Sequence, residues 1–274
     1  MDRVQFVGRM RTKLLARSGQ PRIVAEVSRS VYRTLGTGEW YSPVILGPST
    51  LGSVATSPGC IRRALDVMER LEPDDYLRYL SSYCRAGLER FGDTWRYADL
   101  GTAVLAAALV LQPESYLEIG VRRGRSMAMV VSACPRCSIV GFDMWAADYA
   151  GMANQGPDFV RKEMVRLGHA GELELVSGNS HSQLPVFLGK NPGAFFDLIT
   201  VDGDHSRRGA EQDLRDVLPR LKVGGVLVFD DICHPAHRYL ADIWQRTIVS
   251  DQHFATWQYT ELGYGVAFAV RRAG

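Results

Sequence analysis

The 274-residue chain contains no apolar run approaching the ~18 residues that cross a bilayer, and its start lacks the continuous apolar stretch of a secretory leader. Both absences point to a cytoplasmic protein without a transmembrane segment. Charge of one sign is also lacking: Lys+Arg 32 against Asp+Glu 30 leaves a net charge of +2, spread along the chain, which excludes a general affinity for nucleic acid. Cysteine is sparse and odd in number. Cys60, Cys84, Cys134, Cys137 and Cys233 are scattered in a way that fits reduced thiols and excludes a disulfide framework. The spacing Cys134-Pro-Arg-Cys137 suits a redox pair or zinc, yet it closes a helix and leads into a strand, whereas a redox pair opens a helix after a strand. Cys233, His234 and His237, the other ligands zinc would need, belong to the opposite edge of the sheet, so the motif reads as structural. There is no internal repeat and no low-complexity tract.

What is present is an alternation. From Pro113 onward, β-rich apolar runs alternate with helical patterns, the mark of a doubly wound parallel sheet. Strands are expected at Ser115 to Ile119, Ser138 to Phe142, Leu173 to Ser177, Phe196 to Val201 and Gly225 to Phe229. Helices are expected at Arg125 to Ala133, Asp158 to Leu167, Ser182 to Leu188, Arg208 to Leu221 and Pro235 to Thr247. Two last strands, Phe254 to Tyr259 and Gly265 to Arg271, are joined too tightly for a crossover helix and must pair antiparallel. The fold class is therefore α/β, a seven-stranded, mostly parallel sheet with one antiparallel strand. Residues 1–112 form a separate N-terminal helical segment and cap, with helical periodicity at Ile61 to Leu71, Asp74 to Phe91 and Tyr97 to Leu111, and 113–274 form the sheet domain. Gly, Ser, Thr and Pro between Gly36 and Pro58 predict a loop. The basic start, with Arg3, Arg9, Arg11, Lys13, Arg17 and Arg22, reads as a solvated helical face and a plausible homo-oligomer contact.

The chemistry gathers at strand ends. Val201-Asp202-Gly203-Asp204-His205 closes one strand and Phe229-Asp230-Asp231 another. Neighbouring parallel strands lie roughly 4.8 Å apart, so Asp202, Asp230 and Asp231 converge at the rim of the sheet as a site for a hard divalent metal such as Mg²⁺. The competing reading is a set of helix caps, which accounts for one carboxylate and not three. Leu117-Glu118-Ile119-Gly120-Val-Arg-Arg-Gly124-Arg-Ser126 ends the first strand and opens a helix, where free N–H groups and glycine let a ligand reach the backbone. It lacks the three-glycine dinucleotide fingerprint. Glu118 is a poor neighbour for a pyrophosphate and a good one for a cationic sulfonium amino acid, and Asp143, ending the second strand, can accept from both ribose hydroxyls. Trp145 is a candidate wall for an adenine ring, or a packing residue on the sheet.

Glu118-x-Gly120-x-x-x-Gly124, Asp143, Gly178-Asn179-Ser180 and the two acidic strand ends together resemble the class I S-adenosylmethionine-dependent methyltransferases. More narrowly, Tyr116-Leu-Glu-Ile-Gly-Val-Arg, Val201-Asp-Gly-Asp-His-Ser and Phe229-Asp-Asp-Ile are similar to the metal-dependent O-methyltransferases that modify sugar hydroxyls on macrolide and aminocoumarin antibiotics, a group that includes proteins labelled cephalosporin hydroxylase. The resemblance covers roughly residues 95 to 272 and implies a Rossmann-like fold. It implies S-adenosylmethionine held by Glu118, Gly120, Gly124, Ser126, Asp143, Trp145, Asn179, Ser180 and Asp202, and Mg²⁺ held by Asp202, Asp230 and Asp231.

A sulfonium donor needs no activation, so such an enzyme aligns it with an oxygen nucleophile and removes that oxygen's proton. His205 is the candidate base, since an imidazole ordinarily titrates near about 6.5; Asp204 is the rival. The acceptor is expected to be a small hydroxylated molecule, glycosylated and offering vicinal hydroxyls. Two alternatives stand beside this reading. One is methylation of a polyphenol or antibiotic core; the other is a noncatalytic S-adenosylmethionine-binding partner subunit of an oxygenase. In the cap, Tyr76, Tyr79, Tyr83, Trp95 and Tyr97 supply either a substrate lid or, for most of them, core packing.

Overall fold

Parallel strands covered on both faces read as unbroken apolar runs, and β4 (Phe196–Val201, FDLITV) is buried along its whole length. The computed structural model describes residues 46–149 and 152–272, so the basic segment and the oligomer contact expected at residues 1–45 lie outside the described residues. Around β4 the sheet is completed by β1 (Ser115–Ile119), β2 (Ser138–Asp143), β3 (Leu173–Ser177), β5 (Leu221–Asp230), β6 (Phe254–Tyr259) and β7 (Val266–Arg271). Their order is β3-β2-β1-β4-β5-β7-β6. Strands β3 through β5 pair in parallel, and β7 runs antiparallel to both neighbours, Val228 facing Phe268 and Trp257 facing Phe268 across the two ladders. This is the expected Rossmann-like sheet with one reversed strand.

The order reverses between β1 and β4, which makes their carboxyl ends the topological switch point of the sheet. Helices α5 (Arg125–Ala133), α6 (Pro157–Arg166), α7 (Ser180–Lys190) and α8 (Arg207–Val217) follow β1, β2, β3 and β4 respectively. The cap consists of α1 (Pro48–Ala55), α2 (Pro58–Glu69), α3 (Asp75–Phe91) and α4 (Leu100–Leu111). Helix α4 is buried at every position from Leu100 to Ala108, because it lies between the sheet and the outer cap helices and has no solvent side. Asp99 and Thr102 close its first turn as a reciprocal capping box. Trp95 and Tyr97 stack with centroids 5.4 Å apart, and Tyr83 and Tyr259 meet Tyr97 edge-on. Trp95 and Tyr97 are core and Tyr83 packs against it, as expected for most of the cap aromatics, whereas Tyr79 is exposed.

Four expectations are corrected. The loop expected over 36–58 is helical at Pro48–Ala55: Pro48 sits in its first turn, and Leu51 and Ala55 are fully buried, with Gly52 directly under the Trp257 ring. Tertiary burial outweighs the local Gly/Ser/Thr composition. The helix expected to reach Leu221 ends at Val217, followed by a 3₁₀ turn around Pro219, and Leu221 already pairs with Phe196 in β5. Strand β5 therefore starts four residues before Gly225, with a register shift before Val226 meets Leu198. The last helix, α9, begins at Tyr239 instead of Pro235 and passes through a π turn at Gln245–Val249. Residues before it form turns, tied by Cys233 N–H to the Tyr264 carbonyl and His234 N–H to the Asp231 carbonyl.

At the opposite edge, the Cys134 and Cys137 thiols each contact a backbone carbonyl, and burial raises both, Cys137 to about 12. That suits the structural reading of the motif. No helix among the described residues is long and apolar enough to cross a membrane.

Candidate active site

Backbone hydrogen bonds hold the strand ends at the switch point together. Gly120 N–H donates to the Phe142 carbonyl, Asp202 N–H to Ile119 and Gly178 N–H to Asp143, each at 2.9 Å. Gly120 adopts φ +91, and a Cβ there would collide with the Asp202 carbonyl, so the β1 turn and the β4 end approach as only glycine allows. Asp231 takes the left-handed conformation at φ 61, uncommon outside glycine and tolerated by a short polar side chain.

These turns bring Asp202, His205 and Asp231 together, with one ligand atom from each lying within 4.8 Å of the others. His205 Nε2 is 3.1 Å from Asp231 Oδ2 and 3.5 Å from Asp202 Oδ1. Asp230, also expected at the metal, lies outside that group, in the field of the Arg125 guanidinium as well as of both acids. Burial pushes its carboxyl well above the usual carboxylate range, and the charges of Asp202 and Asp231 push the same way. Burial likewise raises Asp202, with Asp231 adding to it and His205 and Arg125 opposing. Three carboxylates under mutual repulsion beside an imidazole are a donor set that fits a divalent cation.

Asp204 is turned elsewhere. Its Oδ1 accepts the Ser206 N–H at 2.7 Å, and its carboxylate packs where a Cβ on Gly209 would be, over the start of α8. Ser206 caps that helix through the Gly209 N–H.

Two cavities meet at the acids. One, of about 640 Å³, is lined by Gly120, Phe142, Asp143, Met144, Asn179 and Ser180, with the loop Asp202 to Ser206 as its other wall. We call it the Asp143 cavity. The second, of about 540 Å³, is lined by Tyr76, Leu100, Arg125, Asp230, Asp231 and Tyr264 among others. Gly120, Arg122, Asp202, His205 and His237 line both.

On the side of the Asp143 cavity, Asp143 Oδ2 accepts the Arg122 N–H at 2.6 Å, which leaves that oxygen a further lone pair, and Oδ1 accepts the Trp145 N–H at 2.5 Å and the Asn154 amide at 3.5 Å. Asn179 caps α7 through the His181 N–H. Trp145 turns its indole to Ser177 Oγ at 2.9 Å and packs against the core, and Met144 stands on the cavity wall in its place. Glu118 is fully buried and lines neither cavity, although its partner Ser126 lines the second one. Glu118 Oε1 accepts from Ser126 Oγ, while Oε2 has no partner within hydrogen-bond geometry among the described residues. Burial raises the Glu118 pKa to about 8. An orphaned buried acceptor in this position fits an ammonium group brought by a ligand. Gly124 opens α5 at φ 75, next to Val160 and Met164 of α6.

The Tyr76 cavity is closed by the cap. Arg122 Nη2 donates to Asp74 at 3.2 Å, Arg123 pairs with the same carboxylate, and Arg122 and Arg125 both lie over the Tyr76 ring. Across the cavity, His234 packs on Tyr264 with centroids 4.3 Å apart, and His237 lies between His234 and His205. Tyr239 donates to the His205 carbonyl at 2.5 Å.

Arg122, Arg125, Asp213 and Tyr239 were not singled out by sequence, and His237 was only a weak candidate there. Of the first four, Asp213 alone left a trace, as an acid on the apolar face that Ala210, Leu214 and Val217 give α8.

Residues 117–232 match the profile of a family described as a methyltransferase domain. No sequence among the curated proteins matches the chain. Among solved structures, the O-methyltransferase TomG from Streptomyces achromogenes, involved in tomaymycin synthesis and in complex with SAM, is 20% identical with a TM-score of 0.53, covering 74% of this chain and 92% of its own. An O-methyltransferase from Bacillus cereus in complex with SAH is 14% identical, TM-score 0.52, covering 78% and 91%. The SAH-bound methyltransferase PaMTH1 of Podospora anserina is 16% identical, TM-score 0.50, covering 85% and 100%. At these identities the likeness is one of fold, and the fold is that of the class I methyltransferases.

Proposed function

Taking the methyltransferase domain as premise, we propose that the chain is a Mg²⁺-dependent O-methyltransferase. It moves a methyl group from S-adenosylmethionine to one of two adjacent hydroxyls of a sugar, in a glycosylated natural product or a glycan precursor. The observation that carries this reading is the meeting of two cavities at Asp202 and His205, one suited to a donor and the other to an acceptor.

The donor's nucleoside end matches the first cavity, where Asp143 would take the ribose hydroxyls. Glu118 Oε2, buried beside Ser126 at the Tyr76 cavity, would take the amino group of the methionine portion. Gly178, Asn179 and Ser180 would wall the base side together with Met144. Asp202 and Asp231, with Asp230 beside them, would hold the cation, which when bound supplies a Lewis acid that lowers the pKa of an acceptor hydroxyl. His205 Nε2, between Asp202 and Asp231, would take the proton as the hydroxyl attacks. Asp204, committed to the Ser206 N–H, supports that role less well. The cap and the Tyr264 hairpin would keep bulk water from the attacking oxygen.

A second reading has its own support. Tyr76 on one side and the His234–Tyr264 pair on the other give the acceptor cavity two aromatic walls, which favour the flat ring of a polyphenol as much as the face of a sugar. Release of S-adenosylhomocysteine decides between them, measured with nucleotide sugars, glycosides and catechols, each with Mg²⁺ and with EDTA. Metal-dependent turnover of sugars is expected. Turnover of catechols alone would select the second reading, and tight donor binding without turnover of any acceptor would contradict both in favour of a noncatalytic partner subunit.

A further inference from the structure

Asp213 is a buried carboxylate that the chemistry above does not use. It lies on α8 at 1% exposure, on the side that packs against the sheet, and a carboxylate is held there only if its oxygens are hydrogen-bonded. Its partners come from two different places. From α7, Ser180 Oγ donates to Oδ1 at 2.7 Å, and His181 Nε2 lies 3.2 Å from the same oxygen while also 3.2 Å from the Gly209 carbonyl. From the loop after β4, Asp204 N–H donates to Oδ2 at 3.3 Å, and Gly203 passes so close that a Cβ on it would stand 3.1 Å from that oxygen.

Those two places are the facing walls of the Asp143 cavity: Gly178 to Ser180 on one side, Asp202 to Ser206 on the other. The second wall also carries Asp202 and His205, so its position sets where the acids and the imidazole stand relative to anything in the cavity. At its far end Tyr239 fixes the His205 carbonyl. Group transfer tolerates little displacement of such a wall, since a misplacement of about 1 Å can cost 10²-fold in rate.

We infer that Asp213 is a positioning residue: by bonding to both walls of the Asp143 cavity, it couples occupation of that cavity by the donor to occupation of the site at Asp202 and Asp231 by a divalent cation. This rests on the methyltransferase reading. A cation drawing on Asp202 fixes one wall, the donor fixes the other, and Asp213 transmits each constraint, so each ligand tightens the other by the same factor.

Calorimetry with S-adenosylhomocysteine and Mg²⁺ as probes tests it. In the wild-type protein Mg²⁺ is expected to tighten S-adenosylhomocysteine by about fivefold or more. In Asp213→Asn, whose amide cannot accept on both sides, both ligands still bind and the gain falls below about twofold. Ser180→Ala removes only the α7 arm and settles the matter should Asp213→Asn fail to fold: it should lower the gain while leaving Mg²⁺ affinity without S-adenosylhomocysteine unchanged. A merely structural role moves the unfolding midpoint and leaves the gain intact. Full gain in Asp213→Asn, or in Ser180→Ala if that is the variant that folds, overturns the inference. So does a wild type that binds both probes independently, and that result leaves the methyltransferase reading standing. A wild type that binds no S-adenosylhomocysteine removes the reading, and the inference falls with it.

Discussion

The two cavities that share Asp202 are built in different ways. The Asp143 cavity is made by strand ends and by the turns that follow them, and its polar groups are anchored to backbone: Asp143 to two N–H groups, Asn179 to the His181 N–H, Gly120 to the Phe142 carbonyl. The Tyr76 cavity is made where the cap, the β1 turn and the β6–β7 hairpin meet, and it is held by side-chain pairs of moderate exposure such as Arg122 with Asp74. A chamber fixed by backbone at a topological switch point suits a ligand that every relative of the fold shares. A chamber closed by side chains from outside the sheet can change its occupant by a few substitutions. On the proposed reading, the first cavity would hold the donor and the second would set which acceptor is taken.

If that division is right, substitutions sort by the side they touch. Asp202→Ala removes the boundary itself and should lower methyl transfer by about 10³-fold or more, with loss of the Mg²⁺ response in calorimetry. His205→Ala should cost about 10²-fold in kcat while Mg²⁺ still binds; turnover within threefold of wild type would return the base role to Asp204. Glu118→Gln acts on the donor side alone and should weaken S-adenosylhomocysteine about tenfold, the worth of one charge-assisted hydrogen bond, with acceptor KM unchanged.

The same residue gives a pH test. The folded pKa of Glu118 is raised to about 8 from an ordinary 4.5, so its contribution to stability is full below 4.5 and is lost as pH rises through about 8. An ammonium-bearing ligand needs the ionised form, so affinity for S-adenosylhomocysteine should rise with pH up to about 8 and then level off. Glu118→Gln should flatten that profile. Asp74→Ala is expected to have the smallest effect. Its ion pairs are part-exposed, worth about 1 kcal/mol or less, so acceptor KM should shift a few-fold with donor affinity within twofold of wild type. A large donor effect from Asp74→Ala would erase the distinction between the two sides.

The same contrast explains what was legible in the sequence. Strands Ser115–Ile119 and Phe196–Val201 stand at the expected residues, because a strand inside a parallel sheet writes its burial into consecutive positions, and the edge strand Leu173–Ser177 does so through Leu175 turned inward and Glu174 outward. Asp143 and Asp202 stand on a cavity wall where the sequence placed them at strand ends, because a side chain at a strand's carboxyl end has its place fixed by the sheet. Helix Pro48–Ala55 was not readable: what stabilises it is the contact of Leu51, Gly52 and Ala55 with distant elements, and its composition favours a loop. The pairing of Arg125 with Tyr76 escaped for a similar reason. They meet across the gap between α5 and α3, a juxtaposition that no local period encodes. Trp145 had the right position in the chain, but the left-handed backbone at φ 54 leaves its indole on Ser177 while Met144 lines the cavity.

The measurement that tests the central claim most directly is thermal unfolding in metal-free buffer, with S-adenosylhomocysteine, with Mg²⁺, with both, and with NADH as control, on the wild type and on Asp231→Asn. At a hundred times its dissociation constant, a ligand of the folded state adds about 2.7 kcal/mol and raises the midpoint by roughly 2 to 4 °C in a domain of this size. The account predicts a rise with S-adenosylhomocysteine and with Mg²⁺, no rise with NADH, and loss of the Mg²⁺ rise alone in Asp231→Asn. A rise with NADH and none with S-adenosylhomocysteine, or a Mg²⁺ rise that survives in Asp231→Asn, would contradict it.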